Sequence, residues 1–183
     1  MIGIIILGIL VILVVLFFIG YYNRIVVLEN RIDNAGSQID VQLKKRADLV
    51  PNLINTVKGY AKHEKELLEN ITKARASVVN AKNLEEKAKA GNELQKTLKS
   101  LFAVAENYPQ LRANENFLHL QHELSGIEDK VAYARQHYND SVLSFNNIVE
   151  KFPSNLVAGM MKKDGKKYLE IPQEDKVVPK VSF

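Results

Sequence analysis

The sequence predicts an all-α protein: an N-terminal transmembrane helix continuing into an antiparallel up-down-up-down four-helix bundle, followed by an irregular C-terminal tail. Three observations carry this reading. Residues 1–22 contain no charged side chain. Beyond them, apolar residues recur every three or four positions, the spacing of one helix face. Alternating Val/Ile/Thr runs flanked by Asn-Gly or Gly-Gly, the signals of strands, do not occur.

Ile2 to Ile19 is almost purely Ile, Leu, Val, Phe and Gly. At about 1.5 Å per helical residue, such a run spans a hydrocarbon core of roughly 30 Å. Tyr21 and Tyr22 close it, where amphipathic rings suit the headgroup level. A cleaved signal peptide would need a basic n-region and a small-x-small site, and neither is present. No cysteine follows to carry a lipid anchor. Residues 1–22 are therefore expected to be an uncleaved single-pass helix whose first partner is the lipid bilayer. Arg24, Arg31, Lys44, Lys45 and Arg46 all follow the span, so the positive-inside bias favours an outer N-terminus and a cytoplasmic domain.

Residues 23–153 are expected to form the bundle. Leu28, Ile32, Ala35, Ile39 and Leu43 carry the membrane helix onward as the first bundle helix. "RADLVPNL" is expected to interrupt it, with Pro51 in the first turn of the next helix and Asp48 as a cap. The second helix then has the seam Val50, Leu53, Val57, Tyr60, Glu64, Leu67, Ile71, Ala74, Val78 and Ala81, heptad-like with one polar member. Glu64 either pairs with a neighbour to set helix register or lies near an exposed end. Asn83 caps a third helix carrying Leu84, Ala88, Gly91, Leu94, Leu98, Leu101 and Ala105. After a break at Pro109, a fourth carries Phe117, Leu120, Leu124, Ile127, Val131, Ala134, Tyr138, Val142, Phe145, Val149 and Phe152, and Pro153 stops it. Short turns between such helices imply antiparallel neighbours. Residues 154–183 have no sustained period and read as an extended basic tail.

The net charge of +4 is too small to argue for nucleic-acid binding, and Arg-aromatic interleaving is missing. There is no cysteine nucleophile, no Gly-x-Ser-x-Gly and no phosphate-binding glycine loop.

Three blocks carry a family resemblance: "YNRIVVLENRIDNAGSQIDVQLKKRADLVPNLINTVKGYAKHE", "NYPQLRANENFLHLQHEL" and "YARQHYNDSVLSFNNIVEKFPSNLVAGM", with the closing "PKVSF". Together they closely resemble the LemA family, from the membrane helix to the C-terminus. The resemblance implies a bacterial inner-membrane protein with an outward N-terminus and a helical domain inside, and it implies no reaction. Two positions depart from the family pattern. Gly36 stands where a large aromatic usually follows "DNA", and a helical glycine costs roughly 1 kcal/mol relative to alanine. His119 and His122 occupy variable positions of the "NENFLxLQxEL" block.

Those histidines, with Glu123, are the candidate metal ligands. At about 100° per residue, His122 points nearly opposite the buried seam and His119 lies roughly 120° from its centre. A tight site needs supporting hydrogen bonds and exclusion of water, which an outer helix face does not supply. No inward Glu-x-x-His pair occurs, and "HEKEL" and "HELSG" lack the second histidine of a zinc-protease motif. The expectation is no metal, no cofactor and no catalysis, with a metal-dependent enzyme at His119, His122 and Glu123 as one alternative.

The topology points elsewhere. The turns around Pro51 and around Tyr108 to Asn116 are expected to meet at the tip farthest from the bilayer. They would gather Lys44, Lys45, Arg46, Asn52, Tyr108, Arg112, Asn114 and Glu115. Loops on a rigid scaffold are common recognition sites, although Pro109 and the asparagines also read as mere turn and cap residues. The expected function is a non-catalytic membrane-anchored scaffold or adaptor that presents this tip to protein partners. The fourth helix is also expected to return Phe152 to the membrane, ahead of Lys162, Lys163, Lys166 and Lys167. Lysines near an anionic leaflet contribute about 1 kcal/mol each. A membrane-surface organiser, working through this tail and self-association, is the other alternative. In the plainer reading the tail is solvated and Leu156 and Met160 cover the bundle end.

Overall fold

The structure, a computed structural model, describes residues 1–61 and 63–170. Among these are six α-helices and no strand: α1 (Ile2–Lys58), α2 (Lys65–Asn80), α3 (Leu84–Ala105), α4 (Pro109–Arg112), α5 (Glu115–Glu150) and α6 (Ser154–Met160). They divide into two compact units. One comprises Met1–Ala35 and Gln136–Tyr168, the other Gly36–Arg135 and the described residues after Tyr168. The remainder of the expected tail, residues 171–183 with its closing "PKVSF", lies outside the described residues.

The expected break at Pro51 is overturned. α1 is a single helix of 57 residues with Pro51 inside it and Gly36 accommodated along the way. Proline has no N–H, so the carbonyl four residues earlier loses its helical donor. That carbonyl belongs to Ala47, which is fully buried, and the Arg75 Nε–H from α2 donates to it at 2.8 Å. A side chain from the neighbouring helix replaces the missing bond, and the helix continues. Asp48 is consequently an exposed residue within α1, not a cap.

The second unit is the up-down-up-down bundle. Residues 36–58 of α1 face α3 with Asp40 ion-paired to Lys87 at 2.6 Å, while α5 returns antiparallel to α3 with Phe102 edge-on to Phe117 at 6.0 Å. Arg135 closes that pairing by donating to the Ala88 carbonyl at 3.2 Å. The seams of α3 and of this part of α5 are buried as their spacing predicts, apart from the half-buried Leu84. Asn83 caps α3, its side chain accepting from the Glu86 N–H at 2.9 Å. The expected second seam is divided between two helices: Val50, Leu53 and Val57 are buried in α1 before the turn, and Ile71 and Val78 in α2, where Leu68 and not Leu67 is buried with them.

Two glycines make opposite demands. A Cβ on Gly91 would sit 2.6 Å from Leu43 Cδ2, whereas one on Gly126 would meet nothing within 4 Å. Helix propensity favours alanine by about 1 kcal/mol at both sites, but overpacking a core costs roughly 1–3 kcal/mol. Gly126→Ala should therefore raise stability by about 1 kcal/mol and Gly91→Ala lower it by about as much, as read from denaturant midpoints of the detergent-solubilised protein.

The first unit packs Ile25, Leu28 and Ile32 of α1 against Val142, Phe145 and Val149 of α5 and Val157 and Ala158 of α6. Phe17, Phe18 and Tyr21 lie against the same cluster. The expected extended tail is instead folded here as far as Tyr168. α6 ends in a Schellman turn: Lys162 N–H reaches the Gly159 carbonyl at 3.1 Å and Lys163 N–H the Ala158 carbonyl at 3.0 Å. This places Lys162 at φ 54°, the left-handed region. The chain then runs along α5, where the Asn146 amide donates to the Lys166 carbonyl at 2.9 Å and accepts from its N–H at 2.8 Å. A Cβ on Gly165 would lie 3.1 Å from Glu150 Oε1, the free end of an exposed side chain. Phe152, expected in the seam, is 80% exposed because α5 ends at Glu150 before its turn is complete. Leu156 and Met160 are exposed as well, so Val157 and Ala158 cover the core in their place.

Candidate functional site

The tip forms where α1 gives way to α2 and α3 to α5. α1 stops at Lys58, followed by Gly59, a composition typical of a helix end. Across from this turn, Pro109 opens the short α4 and Leu111 is fully buried beneath it. Asn114 caps α5 by accepting from the Phe117 N–H at 3.0 Å. Its amide nitrogen donates to the Tyr60 hydroxyl at 3.1 Å. The Tyr108 hydroxyl donates to Glu64 Oε1 at 3.0 Å. That hydrogen bond to a carboxylate is the main reason the Tyr108 phenol is pushed above its ordinary pKa. Arg112 and Glu115 are exposed on the same turns.

Tyr108, Arg112, Asn114 and Glu115 are thus brought together. Tyr60 and Glu64 join them, although the heptad pattern had placed both in a buried seam. The Lys-Gly pair at 58–59 was the signal that could have found them. Lys44, Lys45 and Asn52 are not at the tip. They are exposed along α1, and at about 1.5 Å per residue Lys44 sits roughly 20 Å short of the helix end. Moving the turn from Pro51 to Gly59 removes them from the site. Beside the tip, α1 and α2 flank an open groove of about 940 Å³ with Ile54, Ala61 and Leu68 below and Lys58, Lys65, Lys73 and the single acid Glu69 around it.

Arg46 departs furthest from expectation. It is only 2% exposed, inside the bundle, because its position shares a helix face with Leu43 and Val50. Burial is the main cause holding its pKa below the usual guanidinium value, with Arg135 adding to this and Glu128 opposing it. Its Nη1 and Nη2 have no hydrogen-bond partner among the described residues.

His119 and Glu123 are exposed and approach to 3.9 Å, and His122 is exposed beside them. Among the described residues, no group of three His, Cys, Asp or Glu side chains is placed to hold a metal ion. The basic tail is divided. Lys163 and Lys166 are half-buried and bind Glu29 of α1 at 2.6 and 3.2 Å, whereas Lys162 and Lys167 are exposed. Lys166 also lies 5.5 Å from the centre of the Phe145 ring. The hydrogen bond from Lys163, more than any other cause, holds the Glu29 carboxyl below the usual glutamate range. A carboxyl lowered on folding stabilises the fold fully above its unfolded value, about 4.3, and loses that contribution as pH falls through the folded value. Tail docking should therefore hold from neutral pH to about 5 and loosen below about 4.3, as read by limited proteolysis after Lys162. Glu29→Gln should be looser at neutral pH and show less of this acid dependence.

Within the first unit, Ile2 and Ile19 are exposed, as is Tyr22, while the Tyr21 ring lies tilted against Phe17 at 4.7 Å. α1 is the one described helix long and apolar enough to cross a membrane, and none of its apolar window is buried.

Compared with known proteins, the chain matches the LemA family over residues 35–183. It belongs to the LemA family. Protein LemA of Metamycoplasma hominis is 29% identical over 145 residues, which cover 77% of this chain and 65% of that protein. Magnetosome protein MamQ 2 of Paramagnetospirillum magneticum is 24% identical over 163 residues, covering 75% and 60%. Magnetosome protein MamQ of Magnetospirillum gryphiswaldense is 22% identical over the same length and shares. The chain spans less than two thirds of the length of these relatives. None of their names denotes an enzyme. The findings describe a membrane-associated helical protein of the LemA family.

Proposed function

We propose that this LemA-family protein is a non-catalytic scaffold or adaptor, anchored in the bacterial inner membrane by residues 2–22, which presents its bundle tip to protein partners. The observation that carries this reading is the fixed polar tip. Tyr108–Glu64 and Tyr60–Asn114 tie two turns together while leaving Arg112 and Glu115 exposed. The groove beside it, with an apolar floor and three lysines against one acid, Glu69, around it, suits a partner segment that offers apolar and acidic side chains. In this reading the N-terminus is outside and the bundle cytoplasmic, following the positive-inside bias. The chain has no cysteine, so Arg112→Cys introduces a single thiol. A membrane-impermeant maleimide should label it in intact cells only after permeabilisation, and labelling beforehand would reverse the orientation. Docking itself is tested by co-purification. A protein that accompanies the wild type should be lost from Asn114→Ala with Arg112→Glu and retained by His122→Ala. If both variants retain it equally, the tip is not the docking surface.

A second role at the membrane surface is supported by Phe152, Leu156 and Met160, an exposed stripe at four-residue spacing in the unit that contains the end of the span. It relies on apolar side chains, with Lys162 and Lys167 beside them. A nitroxide on Met160→Cys should be relaxed more by lipid-soluble oxygen than by an aqueous nickel complex. The reverse order would place the stripe in water.

A further inference from the structure

We propose that α6 and the turn after it form a half-embedded surface at the membrane boundary that selects phospholipids with an anionic headgroup, through Lys162 and Lys167. This rests on the membrane-surface reading and extends it to the depth of the apolar stripe and the class of lipid beside it.

Depth follows from packing within the first unit. Val157 and Ala158 of α6 share a buried cluster with Ile25, and Phe17, Phe18 and Tyr21 lie against that cluster. Aromatic rings such as Tyr21 and Tyr22 mark the headgroup level. Phe17 stands five residues before Tyr22, about 7.5 Å deeper along the helix. α6 is thus held beside the last turns of the span, where amphipathic helices sink their apolar face by roughly 5–10 Å. Leu156 and Met160, with Phe152 just before the helix, are exposed there. The apolar run of α1 that reaches this cluster is itself uncovered by protein. One bilayer covers both, so the stripe continues the lipid-facing surface of the span.

Charge then names the lipid. Lys163 and Lys166 are engaged by Glu29. The exposed charges left around the stripe are Arg24, Lys151, Lys162 and Lys167 against Glu150 and Asp164. Lys162 follows Met160 by two residues and sits at φ 54°, where glycine is the usual residue. The turn therefore keeps a cation next to the stripe at a conformational cost. An ammonium at headgroup level pairs with phosphate. It favours a headgroup of net negative charge over a zwitterionic one, whose own ammonium repels it. Each lysine near such a surface contributes roughly a fivefold preference.

The chain has no tryptophan, so Met160→Trp supplies a single fluorophore on the stripe. The full chain is reconstituted into bilayers of phosphatidylcholine and phosphatidylglycerol in fixed proportion, with bromine on the acyl chains of one lipid or the other. Brominated lipid should quench the fluorophore, with a local preference for phosphatidylglycerol of roughly fivefold or more. Lys162→Gln with Lys167→Gln leaves two cations against two acids and should bring the preference near parity. Lys130→Gln, in the other unit, should leave it unchanged. Quenching by neither lipid, as when a second copy or another protein covers the stripe, overturns the proposal together with the membrane-surface reading. Equal quenching by both overturns the lipid class and leaves that reading standing. A preference that survives the loss of both lysines overturns their role in the selection.

Discussion

Phe145→Ala should destabilise the protein by about 3–5 kcal/mol, the range for truncating a buried phenylalanine. The ring is fully buried, at the centre of a cluster drawn from α1, α5 and α6, and carries Lys166 near its face. Its loss removes apolar contact from three elements and leaves a cavity that close-packed neighbours fill only partly. Phe145→Leu keeps most of the volume and should cost less than about 1.5 kcal/mol. Denaturant melts of the detergent-solubilised chain measure both. Hydrogen exchange should locate the damage first at the amides of residues 25–32 and 142–149.

The second large effect concerns Pro51. Arg75→Met should cost about 1.5–3 kcal/mol, because a charged donor leaves the buried Ala47 carbonyl without a partner. Its cause is testable by a double-mutant cycle. Pro51→Ala restores the N–H that a normal helix would aim at this carbonyl. In that background Arg75→Met should cost at least about 1 kcal/mol less, a coupling well above the scatter of independent sites. If the two substitutions add, Arg75 does not stand in for the missing helical bond.

This pair also explains how far the sequence could be read. The all-helical fold and the seams of α3 and α5 follow from spacing alone, because apolar side chains at three and four residues must share a buried face. Pro51 misled because its local penalty was offset from another helix, by Arg75 reaching the Ala47 carbonyl 28 positions earlier, in a contact that no local pattern encodes. One displaced turn then moved Lys44, Lys45 and Asn52 off the tip and brought Tyr60 and Glu64 onto it. Arg46 misled for a related reason. Charged residues are almost never fully buried unless paired, so composition places an arginine outside, whereas the face shared with Leu43 and Val50 places it inside. The tail docks through polar contacts, Glu29 with two lysines and Asn146 with the Lys166 backbone, which leave no periodic signature.

Docking of partners at the tip is read in living cells by photo-crosslinking. A photoreactive residue replaces Arg112 at the tip or, as a control, the exposed Lys130 on the side of α5. A discrete adduct is expected from position 112, absent from position 130 and weakened by Asn114→Ala. No adduct above background from position 112, or the same adduct from both positions, would contradict it.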